Sequence, residues 1–197
     1  MQKPKVIIVE GIDRIGKDTL VSNLQSNAFN NWGRPSMHVH YSSPPKSIEG
    51  DYNKFEYQDK SYMMGFGVME EAIKPYNNTL MIYNRFHLGE TVYGPRYRGV
   101  TEEQVDRIFN IEDIYLDYFR MMNLHPENIL LVLLTTSSFD HIEDDGGNFD
   151  FSKKEEEQED FIKAFERSQL NKVRVDTFDK NTGTYRDAND IMQEVLS

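Results

Sequence analysis

Three short apolar runs constrain this chain most: VIIVE (residues 6–10), TLMIY (79–83) and ILLVLL (129–134). Each has strand length, ends at polar or turn residues and lacks polar alternation, so each reads as a strand buried on both faces. Weaker strands are expected at MHVHY (37–41) and KVRVDTF (172–178). Between them apolar residues recur at helical spacing. Strands alternating with helices imply an α/β fold, a parallel five-stranded sheet flanked by helices in three layers. A length of 197 residues suits one domain, 1–197, and no stretch reads as an interdomain linker.

Helix starts are written locally. Thr101 with Gln104 forms a capping box ahead of Val105, Ile108, Phe109, Tyr115, Tyr118, Phe119 and Met122; Ser152 with Glu155 forms another ahead of Phe161, Ile162 and Phe165. Both stripes are expected to face the core. A last helix from about Arg186 buries Ala188, Ile191, Met192 and Val195. Two stretches read as loops, YSSPPKSIEGDY (41–52) and the acidic, glycine-containing 137–152, which suits a lid.

A formal charge of −11 repels nucleic-acid backbones and acidic membranes, so an anionic ligand needs a local basic site. Zero cysteines exclude disulfides and thiolate chemistry. The N-terminal apolar run is too short for a signal peptide, and NILLVLLTT (128–136) is too short to span a bilayer. The expectation is a soluble cytoplasmic protein, in host cytoplasm if viral, that handles small nucleotides and binds neither nucleic acid nor membrane. Whether it forms a homodimer stays open.

Gly11, Gly16 and Lys17 fit G-x-x-x-x-G-K, between an apolar strand and a helix that turns Leu20, Val21 and Leu24 inward. Glycines let backbone N–H groups face phosphate oxygens, the helix N-terminus adds positive charge, and lysine reaches the outer phosphates. Asp18 stands where a hydroxyl normally meets magnesium, with Thr19 next. It reads equally as a metal ligand or as an acidic residue favoured in a first helical turn. Asp13 and Arg14 lie inside the loop, where side chains face ligand or solvent; the arginine could supply charge to a phosphoryl group in transfer.

EGIDRIGKDT resembles the E-G-x-D-R-x-G-K-[ST]-T loop of thymidylate kinases, in the subgroup whose phosphate loop carries its own arginine. YNRFHLGETVYG (83–94) is similar to the family's D-R-Y-x-x-S motif, and the chain also resembles phage deoxynucleoside monophosphate kinases. The resemblance implies a P-loop nucleoside monophosphate kinase architecture with a lid at about 137–152, and ATP and Mg2+ as cofactors. It places ATP on Gly11, Ile15, Gly16, Lys17, Asp18 and Thr19, and the acceptor on Asp13, Lys46, Tyr62, Phe66, Arg85 and Tyr93. Arg14, Lys17 and Arg85 would be catalytic. Asp13 would contact the sugar 3'-hydroxyl, Arg85 and Lys46 the acceptor phosphate, and Tyr93 would crowd out a 2'-hydroxyl.

The chain departs from the family at Asn84, an aspartate elsewhere, and a compensating exchange with Asp18 would keep the charge around magnesium constant. Tyr62 and Phe66 offer an aromatic for the base, but Glu70 stands where an arginine would read thymine, and the nearby glycines and methionines could give a roomier pocket. Arg96 and Arg98 read as surface partners of the acidic helix that follows, with one of them facing the phosphates as the alternative, and DKNTG (179–183) lies where this fold often holds an adenine edge. His38 and His40 share a strand face with no third zinc ligand in view. The leading function is ATP-dependent phosphorylation of a deoxynucleoside monophosphate such as dTMP. Alternatives are a deoxynucleoside kinase and a nucleotide-binding regulator that has lost catalysis.

Overall fold

The computed structural model describes residues 3–142 and 151–197. The apolar runs become β1 (Val6–Glu10), β3 (Leu80–Asn84) and β4 (Ile129–Thr135), the middle of a five-stranded parallel sheet. With β2 (Ser36–His40) and β5 (Asn171–Asp176) at the edges, the order is β2-β3-β1-β4-β5. Val6 lies opposite Met81 on one side and Ile129 on the other. Every residue of the three middle strands is buried, whereas β2 is largely exposed, which is why the edge strands read weakly in the sequence.

Among the described residues six α-helices flank the sheet: α1 (Lys17–Trp32), α2 (Asp51–Ile73), α3 (His87–Tyr97), α4 (Glu102–Met121), α5 (Lys154–Arg167) and α6 (Ala188–Leu196). From β1 the chain moves outward to β2, returns through β3 and crosses to β4 on the far side. The carboxyl end of β1 is therefore a topological switch point, where open α/β sheets hold ligands.

Several local expectations change. The Thr101–Gln104 capping box forms with both bonds, but the N-cap of α5 is Lys153 and not Ser152, because a 3-10 turn over Phe151–Lys153 leads into the helix. On α4, Ile108, Phe109 and Phe119 are buried, while Tyr118 and Met122 turn outward beyond the face that packs on the sheet. The last helix starts at Ala188 with Asp187 as its cap, accepting from the Asn189 and Asp190 amides. The run expected as one strand to residue 178 breaks after Asp176. There β6 (Phe178–Asp179) pairs antiparallel with β7 (Thr184–Tyr185) in a separate hairpin, which absorbs the DKNTG turn. Residues 143–150 of the lid expected at 137–152 lie outside the described residues.

Candidate active site

Gly11 leaves β1 at φ 137°, and a Cβ there would lie 2.6 Å from the Leu134 carbonyl oxygen, so only glycine lets the loop pass β4. Gly16, at φ 97°, starts α1. Between them the loop folds around Lys17, whose ammonium donates to the carbonyls of Gly11 at 2.8 Å and Ile12 at 2.6 Å. Burial, and after it repulsion from Arg85, lowers the Lys17 pKa to about 8, against attraction from Asp13, Glu10 and Asp18. At neutral pH the group still carries its proton, and an arriving phosphate would raise its pKa again.

Arg14 and Arg85 are two of the three non-glycine residues at positive φ among the described residues, at 66° and 64°. Such backbone costs about 1 kcal/mol or more and gathers at functional sites. Here both arginines line one cavity of about 360 Å³. The phosphate loop from Arg14 to Leu20 lines it together with Leu134, Thr177, Tyr185, Arg186, Ala188 and Ile191.

Arg85 also borders a second, smaller cavity of about 40 Å³, with Tyr41, Gln58, Tyr62, Glu90, Tyr93 and Arg98 among its lining. A guanidinium at the carboxyl end of β3 thus borders both spaces. It pairs with Asp13 at 2.5 Å, so two expected acceptor contacts hold each other. Within the second cavity Arg98 pairs with Glu90 at 2.7 Å, and burial raises the Glu90 pKa against the pull of that arginine. Gln58 donates to the Ser42 carbonyl, and the Tyr62 ring stacks on Tyr41 at 5.8 Å.

Of the acceptor residues expected from sequence, Tyr62, Arg85 and Tyr93 line this space, and Asp13 reaches it through Arg85. Phe66 does not: it is fully buried, stacked on Tyr115 at 5.5 Å and packed on Phe86. Lys46 is exposed on the loop between β2 and α2 and borders neither cavity. Nor is the pocket roomy. A Cβ on Gly65 would meet Phe86 and the Tyr41 hydroxyl at 2.5 Å, so that glycine draws α2 in, and Met63 and Met64 face outward.

Sequence reading missed four contributors. Glu10 ends an apolar strand, a charge in a buried run, and accepts from the Phe86 amide at 2.8 Å; burial raises its pKa. Arg98 was paired with the wrong face: Arg96 takes the acidic helix, and that helix is α5, through Asp160 and Glu156, while Arg98 turns into the cleft. Tyr185 and Arg186 gave no signal, because the hairpin carrying Tyr185 has no periodic pattern.

Asn84 is buried and donates its amide to Asp18 Oδ1 at 2.5 Å. Its own Oδ1 is buried without a hydrogen-bond partner among the described residues. A carboxylate beside an amide oxygen that lacks a donor suits a hard cation such as Mg2+, which takes few protein ligands and keeps its waters. Among the described residues no cluster of three His, Asp or Glu forms a closed metal site, and no helix is long and apolar enough to cross a membrane.

No protein-family model matches the chain, and no curated protein matches it in sequence. Solved structures do resemble it. Thymidylate kinase from Ehrlichia chaffeensis matches with a TM-score of 0.61 at 13% identity, over 97% of this chain and 96% of that one. The Bacillus subtilis YorR protein, solved in complex with phosphorylated GDP, matches with a TM-score of 0.55 at 17% identity, over 95% and 94%. Polyphosphate kinase 2 from Arthrobacter aurescens TC1 matches with a TM-score of 0.52 at 11% identity, over 97% of this chain but 64% of its own length. At these identities the likeness is one of fold. The five-stranded parallel sheet and its flanking helices have the architecture found in these structures.

Proposed function

We propose that this chain is an ATP- and Mg2+-dependent kinase that phosphorylates a deoxynucleoside monophosphate, dTMP or a similar one, to the diphosphate. The observation that carries the reading is the pair of cavities meeting at Arg85, one on the glycine loop and one walled by aromatic and charged side chains. Two anionic substrates that exchange a phosphoryl group need such an arrangement.

In this reading the loop amides and Lys17 hold the ATP phosphates, and Asp18, Thr19 and Asn84 would hold the metal and its waters. Bound magnesium would offset negative charge on the donor phosphates. Arg85 releases Asp13 and grips the acceptor phosphate, freeing Asp13 for the sugar. Arg14, on the donor side of the same cavity, offsets the charge that spreads over the phosphoryl group as it moves. Tyr62 and Tyr93 pack the nucleoside, and Arg98 with Glu90 supplies the polar edge of its pocket. Positioning and electrostatics suffice, and no covalent enzyme intermediate forms.

Arg85 at the edge of the second cavity favours an acceptor that already carries a phosphate over a nucleoside. Incubation with ATP, Mg2+ and a panel of nucleosides and ribo- and deoxynucleoside monophosphates tests this: diphosphate from a deoxynucleoside monophosphate is expected. Product from nucleosides alone, or ATP binding with no transfer, would refute it. Exposed Met64, Val68, Ile114 and Met121 on α2 and α4 support a homodimer through those helices, which light scattering would reveal.

A further inference from the structure

The β6–β7 hairpin projects from the end of β5 toward the glycine loop, and its last residue makes a contact that sequence spacing could not have shown. The Tyr185 hydroxyl donates to the carbonyl of Arg14, 171 residues away. Arg14 is held at φ 66°, and both residues line the larger cavity.

Tyr185 is itself held firmly. It pairs across the hairpin with Phe178, and the His141 ring packs against both, at 4.4 Å from Tyr185 and 5.1 Å from Phe178. Next to it, Arg186 ties the hairpin root down, donating its amide to Thr177 O, one guanidinium nitrogen to Asp176 O and another to Glu194. A surface ribbon with no further task would not need a phenol aimed at a loop carbonyl from so braced a base.

The C=O and N–H of a trans peptide point in opposite directions. Anchoring the Arg14 carbonyl on the hairpin therefore turns the Ile15 N–H away from it. A phosphate loop works by presenting such N–H groups inward. We propose that Tyr185 is a positioning residue, whose hydroxyl sets the Arg14–Ile15 peptide so that the Ile15 N–H faces the donor phosphates. The inference rests on the donor-site reading given above.

Tyr185→Phe deletes the hydroxyl and keeps the ring between Phe178 and His141, so the variant is expected to melt with wild type. Calorimetric titration with ATP and Mg2+ should show about tenfold weaker binding, the scale of one lost hydrogen bond, while KM for the acceptor stays unchanged. Unchanged ATP affinity would overturn the proposal, and so would a parallel loss of ATP and acceptor affinity, the mark of a merely structural role. Wild type that binds ATP yet phosphorylates nothing would refute the kinase reading, and the two ATP affinities would still decide the role of Tyr185. Wild type that binds no ATP would overturn both.

Discussion

The Asn84 amide donates to the Asp18 carboxylate at 2.5 Å, joining the end of β3 to the first turn of α1. Both positions depart from the motifs the chain resembles, and they touch. The resemblance would put the carboxylate at 84 and a neutral side chain at 18, and the exchange proposed from it has a direct test. Asn84→Asp would set two carboxylates against each other and, without metal, should destabilise the fold by about 1 kcal/mol. Thermal melts should show that loss without magnesium and its recovery with magnesium. The double variant Asp18→Ser, Asn84→Asp should work better than either single change. Equal activity in all three would refute the exchange.

Arg85 is paired with Asp13 at 2.5 Å while it borders both cavities. Arg85→Ala should lower kcat/KM for the acceptor about a hundredfold, since it removes a guanidinium from the phosphate path. Arg85→Lys should recover only part of this, because an ammonium cannot bind bidentately. Steady-state kinetics with acceptor varied at saturating ATP would measure both. Asp13→Asn should raise KM for a deoxynucleotide more than for its 3'-deoxy analogue.

Glu112 braces the segment behind Arg85. Buried on α4, it meets His87 at 2.6 Å and accepts from the Ser168 hydroxyl and the Gln169 amide. Burial alone would raise its pKa, but the bond and charge of His87, then Gln169 and Ser168, outweigh it and hold the carboxyl below its usual 4.5. A carboxylate whose folded-state pKa is depressed stabilises fully above the unfolded value, and that contribution fades as pH falls through the folded one. Glu112→Gln should therefore cost about 3 kcal/mol at neutral pH. In denaturant titrations the gap from wild type should shrink as pH drops below 4.5.

How far the sequence carried can be seen residue by residue. The strands with unbroken apolar runs were legible because both their faces are covered, and the glycine loop because its spacing is local. Phe66 was misplaced for a related reason: helical spacing puts it one turn from Tyr62, and nothing local says that Tyr115 covers it. Arg98 and Arg96, two residues apart, part company because α3 ends between them, so one meets α5 and the other the cleft. Tyr185 was illegible, since its meaning lies in a contact with Arg14 that only the closed sheet brings about.

The central claim is that an arginine in the glycine loop offsets charge on the migrating phosphoryl group, and Arg14→Ala in a single-turnover assay, with ATP and acceptor both bound, tests it most directly. The account predicts a transfer rate at least a hundredfold below wild type, with ATP affinity changed much less. Transfer at the wild-type rate would contradict it.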